Sequence, residues 1–355
     1  MRFSFILPLA GLLLWGGASA RAGASLRAEL NKLPFKIVYE AYHNNNWDLW
    51  VMNGDGSDPV NLTQTPDLNE HYAQVSPDGT KIAFVADKGE GRSTIRSLWV
   101  MDIDGRHRKK LVDYARQPFW SPDGKILGYL PQQYHKFNVM DFYTKGMMFY
   151  HMATGEITPH VNSKNLWHLY NPSWSADGKW IVATVHAGMG YGHTILLIQA
   201  DGDRIINLKI PGCRPCFSHD GKEVAWGAND HELVAAPIDL NAANPAVGPW
   251  RVEIKDPANK VYHVDWSPDG HFLAFSRGPA TDGDPTKPGT FMAACEIVGV
   301  YAPGWNLFAV SATQDGVIDL TKPDGSKFIQ LTHDGDCNKE PAWFTGPRQQ
   351  LSARR

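Results

Sequence analysis

Short runs of alternating apolar and polar residues recur along the chain, each interrupted by the same turn. Residues 264–276 read VDWSPDGHFLAFS, and residues 172–184 read PSWSADGKWIVAT. Four further copies begin at Ala73, Pro118, Pro215 and, in shortened form, Pro341. The serines of the five full copies are 45, 54, 43 and 49 residues apart. Repetition at this period indicates a solenoid or a propeller.

Each copy predicts a β-hairpin around its Ser-Pro-Asp-Gly turn. Proline presets φ, Asp can bond back to the backbone, and Gly tolerates a positive φ. The flanking runs alternate in polarity and are rich in β-branched and aromatic residues, as in KIAFV at 81–85. A second turn follows most copies, as in MDIDGR at 101–106. We therefore predict four-stranded units with strands A to D, joined by A–B and C–D turns at one end.

Four-stranded units at this spacing form the blades of a propeller. The first segment, from Phe35, begins at a strand B, and its missing strand A is supplied by NKEPAWF at 338–344. The predicted fold class is all-β, a six-bladed β-propeller of antiparallel blades closed by pairing the C-terminal strand with the N-terminal blade. The propeller is predicted to span 35–346, with a lead-in at 25–34 and a C-terminal tail at 347–355.

The repeated phrase resembles the WSPDG (PD40) repeat of TolB-like β-propellers, and WVMNGDGSDPVNLT at 50–63 is similar to their C-turn-D segment. The resemblance covers about residues 35–346 and implies the fold. It implies less about function, because prolyl-oligopeptidase-like peptidases and oligogalacturonate lyases share the repeat. Two departures stand out: only a short leader precedes the first blade, and no Gly-x-Ser-x-Gly of a hydrolase domain is present.

Residues 1–24 are predicted to be a secretory signal, with Arg2, the apolar core FILPLAGLLLW and the small residues ASARAGA. The core is short for a bilayer span. We therefore expect an exported protein, periplasmic or extracellular, with no stable membrane span after signal cleavage. The formal net charge of −3 and the lack of a basic block argue against a nucleic-acid partner.

Propeller topology places B–C and D–A loops on one rim, here the upper rim, and the A–B and C–D turns on the lower rim. The lower rim is expected to hold turns alone. The upper rim gathers polar and aromatic residues and eight of the fourteen histidines. It also carries two long B–C loops, at 132–145 and 279–313, and loops of this length are usually functional.

One hypothesis is that the upper rim forms a funnel that binds an envelope protein, a peptide or a saccharide. Polar and aromatic side chains of this kind are expected at binding surfaces. The candidate ligand-binding residues are Tyr72, Gln117, Tyr170, Asn171, Tyr262, Lys339 and Trp305.

The alternative is a lyase or hydrolase of polysaccharides or oligosaccharides that uses a divalent metal, Mn, Zn, Fe or Ca. Imidazole and carboxylate groups bind such ions. The candidate metal ligands are His71, His263, Glu340 and His231, and the candidate catalytic residues are His186, His193, Arg116 and Arg214. The resemblance to oligogalacturonate lyases implies a metal on a uronate carboxylate, an arginine on a second acidic group and a histidine base.

Four cysteines in an exported chain raise the question of disulfides. Cys213 and Cys216 lie three residues apart on a predicted strand, which points their side chains to opposite faces. Cys295 lies in the long loop of the last blade, and Cys337 lies in the D–A connection on the same rim. We predict a disulfide between these two that tethers the loop.

Overall fold

The computed structural model describes residues 25–312, 316–322 and 327–346. The predicted signal at 1–24 and the predicted tail at 347–355 lie outside these residues. Six antiparallel sheets are arranged in a ring, so the predicted six-bladed β-propeller is confirmed. No helix among the described residues is long and apolar enough to cross a membrane.

The strands of the first three blades, in chain order, are β1 (Phe35–His43), β2 (Asn46–Asn53), β3 (Val60–Asn61), β4 (Asn69–Val75), β5 (Lys81–Lys88), β6 (Ile95–Asp102), β7 (Lys109–Asp113), β8 (Ala115–Trp120), β9 (Ile126–Pro131), β10 (Met148–His151) and β11 (Ile157–Pro159). Those that follow are β12 (Leu169–Trp174), β13 (Trp180–Gly188), β14 (Tyr191–Gln199), β15 (Ile205–Asn207), β16 (Cys213–Phe217), β17 (Glu223–Asn229), β18 (Glu232–Pro237), β19 (Arg251–Lys255), β20 (Lys260–Trp266), β21 (Phe272–Gly278), β22 (Asn306–Ser311), β23 (Ile318–Asp319), β24 (Phe328–Gln330) and β25 (Cys337–Thr345). The helical elements are α1 (Leu26–Leu30) and two 3₁₀ turns, Gly91–Ser93 and Ser163–Asn165.

The ring closes in blade 1, where the sheet order is β25-β1-β2-β3. β25 pairs antiparallel with β1, and Ile37 lies opposite Trp343. The last strand of the described chain therefore supplies strand A of the first blade, as the sequence predicted.

Blade 5 departs from the expected four strands. Its sheet order is β16-β17-β18-β19-β23, and β23 pairs parallel with β19 through Ile254 opposite Ile318. β23 belongs to the connection between β22 and β24 of blade 6. Ile318 and Leu320 are buried against the core of these blades, so this connection covers part of an otherwise unpaired edge.

The predicted A–B turns of the five full copies are confirmed, and each is fixed by a serine. The Ser76 hydroxyl donates to Asp78 Oδ1 at 2.6 Å and accepts from the Lys81 amide at 2.9 Å. Gly79 adopts a φ of +72°, which glycine tolerates without strain. The serine-to-aspartate bond recurs at Ser121, Ser175, Ser218 and Ser267.

Apolar side chains pack between neighbouring blades, and α1 adds to one of these layers. Leu26 and Leu30 are buried against Ile37 of blade 1 and Leu307 of blade 6. Arg27 also donates to the Gln330 carbonyl at 2.7 Å. The lead-in at 25–34 is therefore part of the packed fold, and it lies where the first and last blades meet.

Candidate functional site

Every innermost strand is interrupted by a β-bulge at the same position. In blade 2, for example, pairing with β5 stops at His71 and resumes at Gln74. The six residues within the bulges all adopt a left-handed backbone: Tyr72 (φ 53°), Gln117 (φ 45°), Asn171 (φ 45°), Arg214 (φ 55°), His263 (φ 59°) and Glu340 (φ 50°). We call these six residues the inner ring. A bulge re-aims the side chain it carries, so the repeated bulges gather six polar side chains from separate blades.

One half of the inner ring is joined by Asp141, a residue of the connection between β9 and β10. Its carboxylate accepts hydrogen bonds from the Tyr72 hydroxyl and from Arg214 Nη2, both at 2.5 Å. Gln117 donates to the Tyr72 hydroxyl at 3.2 Å and accepts from the Asn171 amide at 3.1 Å. The sequence analysis did not single out Asp141, because a loop has no periodicity that marks one residue.

The other half is joined through Ser276 and Glu296. His263 Nε2 donates to the Glu296 carbonyl at 2.9 Å, and its Nδ1 lies 3.1 Å from the Ser276 hydroxyl. The same hydroxyl accepts from the Glu340 amide at 3.2 Å. Burial lowers the pKa of His263 well below its usual value, and the charge of Arg214 adds to this effect. The imidazole is therefore neutral at physiological pH.

The upper rim is closed by two loops, at 132–147 and 279–305. Lys339 Nζ donates to three carbonyls of loop 279–305, those of Cys295, Ile297 (3.2 Å) and Val300 (2.7 Å). Arg116 donates to carbonyls of loop 132–147. The two loops also pack on each other through a shared apolar cluster that contains Phe137, Val139, Ile297 and Val300. The prediction of an open funnel on this rim is therefore corrected.

Loop 279–305 is also shorter than predicted, because β22 begins at Asn306. The sequence pattern predicts a loop that reaches residue 313. Most candidate ligand-binding residues are buried: Tyr72, Gln117, Tyr170, Tyr262, Lys339 and Trp305. Asn171 alone of that set is partly exposed.

The candidate catalytic residues are gathered only in part. His186 and His193 face each other across β13 and β14, with ring centroids 5.3 Å apart, and His193 is exposed. His193 contacts the Tyr170 hydroxyl at 2.9 Å. Arg116 and Arg214 are buried and bound to loop carbonyls and to Asp141. His186 and His193 therefore form one pair, and the two arginines contact neighbouring residues of loop 132–147.

The candidate metal ligands are likewise not assembled. His263 Nε2 and Glu340 Oε1 lie 3.2 Å apart. His71 Nδ1 contacts Glu40 Oε2 at 3.3 Å instead, and His231 Nδ1 contacts the Asn259 carbonyl at 2.8 Å. Within the part of the chain that the structure describes, no three His, Cys, Asp or Glu side chains are placed to hold a metal ion. No three of the four predicted ligands are therefore grouped among the described residues.

The predicted disulfide is also corrected, because all four cysteines are free thiols. Cys295 and Cys337 are buried in the same apolar cluster as Trp305. The Cys295 thiol contacts the Pro279 carbonyl at 3.4 Å. Burial raises the pKa of the Cys337 thiol to about 11. The loop is held by the Lys339 ammonium rather than by a covalent tether.

A cavity of about 570 Å³ lies on the side of the inner ring opposite the two loops. It extends from Asn171, Arg214, His263 and Glu340 to the A–B turns, and therefore opens at the lower rim. Its wall is rich in aromatic side chains: Phe119, Trp120, Trp174, Phe217, Trp343 and Phe344. The expectation that the lower rim holds only turns was wrong, since these turns surround the mouth of a central channel.

Two carboxylates line the inner part of this channel. Asp265 accepts from the Trp343 amide at 2.7 Å and from the Cys216 thiol at 3.2 Å. Burial raises the pKa of Asp265, and it raises that of Glu340 well above the usual value, with Glu40 nearby as a further cause. The end of the channel is thus an acidic, weakly solvated site.

No protein-family model matches the sequence, and no curated protein is similar to it by sequence. Solved structures are similar in fold. TolB from Acinetobacter baumannii matches with a TM-score of 0.59 at 17% identity, over 87% of this chain and 66% of that protein. A TolB-type protein from Agrobacterium tumefaciens matches with a TM-score of 0.53 at 15% identity, over 86% of this chain and 91% of the other. This chain has the fold of the TolB-like propellers.

The TolB-like fold agrees with the WSPDG resemblance of the sequence. An oligogalacturonate lyase from Vibrio parahaemolyticus matches with a TM-score of only 0.43 over 68% of this chain. That likeness supports no functional conclusion. The function of this TolB-like propeller therefore has to be argued from its channel.

Proposed function

We propose that this TolB-like propeller is an exported, non-catalytic binding protein. Its central channel would take an extended segment of a partner peptide or protein through the lower rim. The observation that carries the proposal is the channel itself, which is open at the A–B turns and closed at the other end by loops 132–147 and 279–305. The predicted signal at 1–24 supports the location.

The size and wall of the channel support a peptide. A cavity of about 570 Å³ lies within the range of about 300–1,000 Å³ that is usual for ligand sites. Aromatic rings such as Trp120 and Trp174 offer apolar contact, and Ser173 and Gln74 beside them offer hydrogen bonds. Such a combination of aromatic anchors with a few polar groups is typical of surfaces that bind peptides and proteins.

Binding is favoured over catalysis by the arrangement of the polar side chains. A general acid or base has to come within hydrogen-bond reach of the reacting atoms. His263 is engaged by the Glu296 carbonyl and Ser276, and Arg214 is engaged by Asp141. These groups fix the closed end of the channel and support recognition of a ligand.

The proposal is tested by selecting displayed random peptides on the purified propeller and comparing a channel-blocked variant. Ala176 is exposed at the channel mouth, so Ala176→Trp should fill the entrance. Ala153 lies on an exposed C–D turn outside the cavity lining, and Ala153→Trp is the matched control.

Selected peptides should bind the wild type and the Ala153→Trp variant with equal affinity, and Ala176→Trp at least tenfold more weakly. Peptides that bind all three proteins equally would show that the channel is not the site. Selection of no peptide, together with channel-dependent binding on a saccharide array, would replace the peptide by a saccharide as the ligand.

A further inference from the structure

The closed end of the channel contains a carboxylate with no hydrogen-bonded cation. Glu340 lines the cavity, and about 11% of its side chain remains exposed. Its Oε1 has no hydrogen-bond partner among the described residues. The nitrogen that lies 3.2 Å away, His263 Nε2, donates its hydrogen to the Glu296 carbonyl instead. A buried polar atom without a partner is costly, so such an atom calls for a ligand or a solvent molecule.

The charged groups that face Glu340 do not neutralise it. Arg214 of β16 is paired with Asp141 of loop 132–147, and Lys339 of β25 is bound to three carbonyls. The remaining charged neighbour, Glu40 of β1, is itself an acid and raises the pKa of Glu340 further. Neither Arg214 nor Lys339 is therefore hydrogen-bonded to Glu340.

A second unpaired acceptor lies at the same end of the channel. Asn171 lines the cavity, and its Oδ1 has no hydrogen-bond partner among the described residues. A primary ammonium carries three N–H donors and no acceptor, which suits unpaired oxygens of this kind. Arg214 Nε is a donor that also lacks a hydrogen-bond partner among the described residues.

The wider lining also favours a cation. Asp78, Asp265 and Glu340 are the acidic side chains of the described lining. Arg214 is the single arginine or lysine in this described lining, and its charge is balanced by Asp141. The aromatic wall is compatible with a passing ammonium, because ring faces attract cations.

We propose that the closed end of the channel binds a primary ammonium group of the ligand, at Glu340 and Asn171. The group is either the N-terminus of the entering segment or the side chain of a lysine. This inference rests on the proposed function, since it names the chemistry of the part of the ligand that reaches the end. Burial raises the pKa of Glu340 well above its usual value, and an ammonium favours the ionised carboxylate, so binding of the ammonium should release a proton.

The source of the ammonium is tested with one random heptapeptide library in three forms. The first has free N-termini and no lysine, the second has acetylated N-termini with lysine allowed, and the third has acetylated N-termini and no lysine. We expect binding that is blocked by Ala176→Trp from the first form, the second form or both. The third form should not bind.

Binding of the third form as tight as that of the other two would overturn the ammonium site and leave the proposed function standing. Binding of none of the forms would overturn both. The two failures are thus distinguishable.

The role of Glu340 is tested on a bound peptide by calorimetry in buffers of different ionisation enthalpy. Glu340→Gln should weaken binding about ten- to hundredfold, as expected for a lost charge-assisted hydrogen bond, and should abolish proton release. Glu340→Asp keeps the acid and should keep the preference for ammonium-bearing forms. Glu156→Gln, an exposed acid on a C–D turn, should change neither value. Unchanged affinity and proton release in Glu340→Gln would overturn the proposal.

Discussion

The carboxylate of Asp141 lies 2.5 Å from Nη2 of Arg214, and both side chains are at least nine-tenths buried. Asp141 belongs to loop 132–147 of blade 3, whereas Arg214 belongs to the innermost strand of blade 5. The contact therefore spans the axis region of the propeller. It makes the loop part of the inner ring rather than a separate surface feature.

We expect Asp141→Ala to destabilise the fold by about 3–5 kcal/mol, because it leaves the Arg214 guanidinium buried without its partner. Chemical denaturation measures the loss. The control is Arg106→Ala, which breaks an exposed pair with Asp104 at 3.4 Å and should cost at most about 1 kcal/mol. Similar losses in the two variants would mean that the buried pair is not important for stability.

Lys339→Met should release loop 279–305, because the ammonium that bonds three of its carbonyls is removed. Met292, with 71% of its side chain exposed, and the neighbouring Phe291 offer cleavage sites for chymotrypsin. We expect cleavage there to become at least tenfold faster than in the wild type. Mass spectrometry of the fragments identifies the site, and cleavage confined to other loops would contradict this role of Lys339.

Ionisation of the buried Glu70 side chain should make the fold less stable as the pH rises into mild alkali. Burial raises its pKa to about 8, and Asp48 nearby adds to the shift. An acid whose pKa is raised in the folded state stabilises the fold below its unfolded value, near pH 4.5, and that stability is lost as the pH rises through 8. The loss should approach about 1.4 kcal/mol per pH unit within this window.

Glu70→Gln should remove this dependence. The difference in unfolding free energy between the variant and the wild type should favour the variant more at pH 8.5 than at pH 5. Glu156→Gln, at an exposed position, serves as the control and should show no such difference. A wild type whose stability is constant across the window would contradict the raised pKa of Glu70.

Thiol titration distinguishes the structure from the sequence-based expectation about disulfides. Unfolded without a reducing agent, the protein should react with four equivalents of a thiol reagent, because all four cysteines are free. Two equivalents, with Cys295 and Cys337 linked in the same peptide fragment after digestion, would show that the predicted disulfide forms.

The repeats in the sequence predicted the blades, their number and the closure of the ring. This succeeded because the Ser-x-Asp-Gly turn has a local mechanism, and because NKEPAWF at 338–344 pairs where a strand was missing. Alignment on the turn also identified the six positions of the inner ring. Their left-handed backbone was not foreseen, since residues such as Tyr72 and His263 rarely adopt it and only the bulges impose it.

The direction in which the channel opens could not be read from the sequence. Loops 132–147 and 279–305 have no repeated pattern, so nothing in them showed that they fold over the axis and bury Lys339 and Arg116. The histidines of the upper rim suggested a shared site, yet His71 is paired with Glu40 and His231 with the Asn259 carbonyl. Such partners depend on contacts that are distant in the chain.

The pairing of β1 with β25 has a consequence for folding of the newly synthesised chain. During synthesis β1 emerges early, and its inner edge stays bare until Cys337–Thr345 have also left the ribosome. The propeller ring cannot close before β25 is available. A chain truncated before Cys337 would leave the edge of β1 unpaired and able to pair with another chain. Closure of the ring should therefore be a late step of folding.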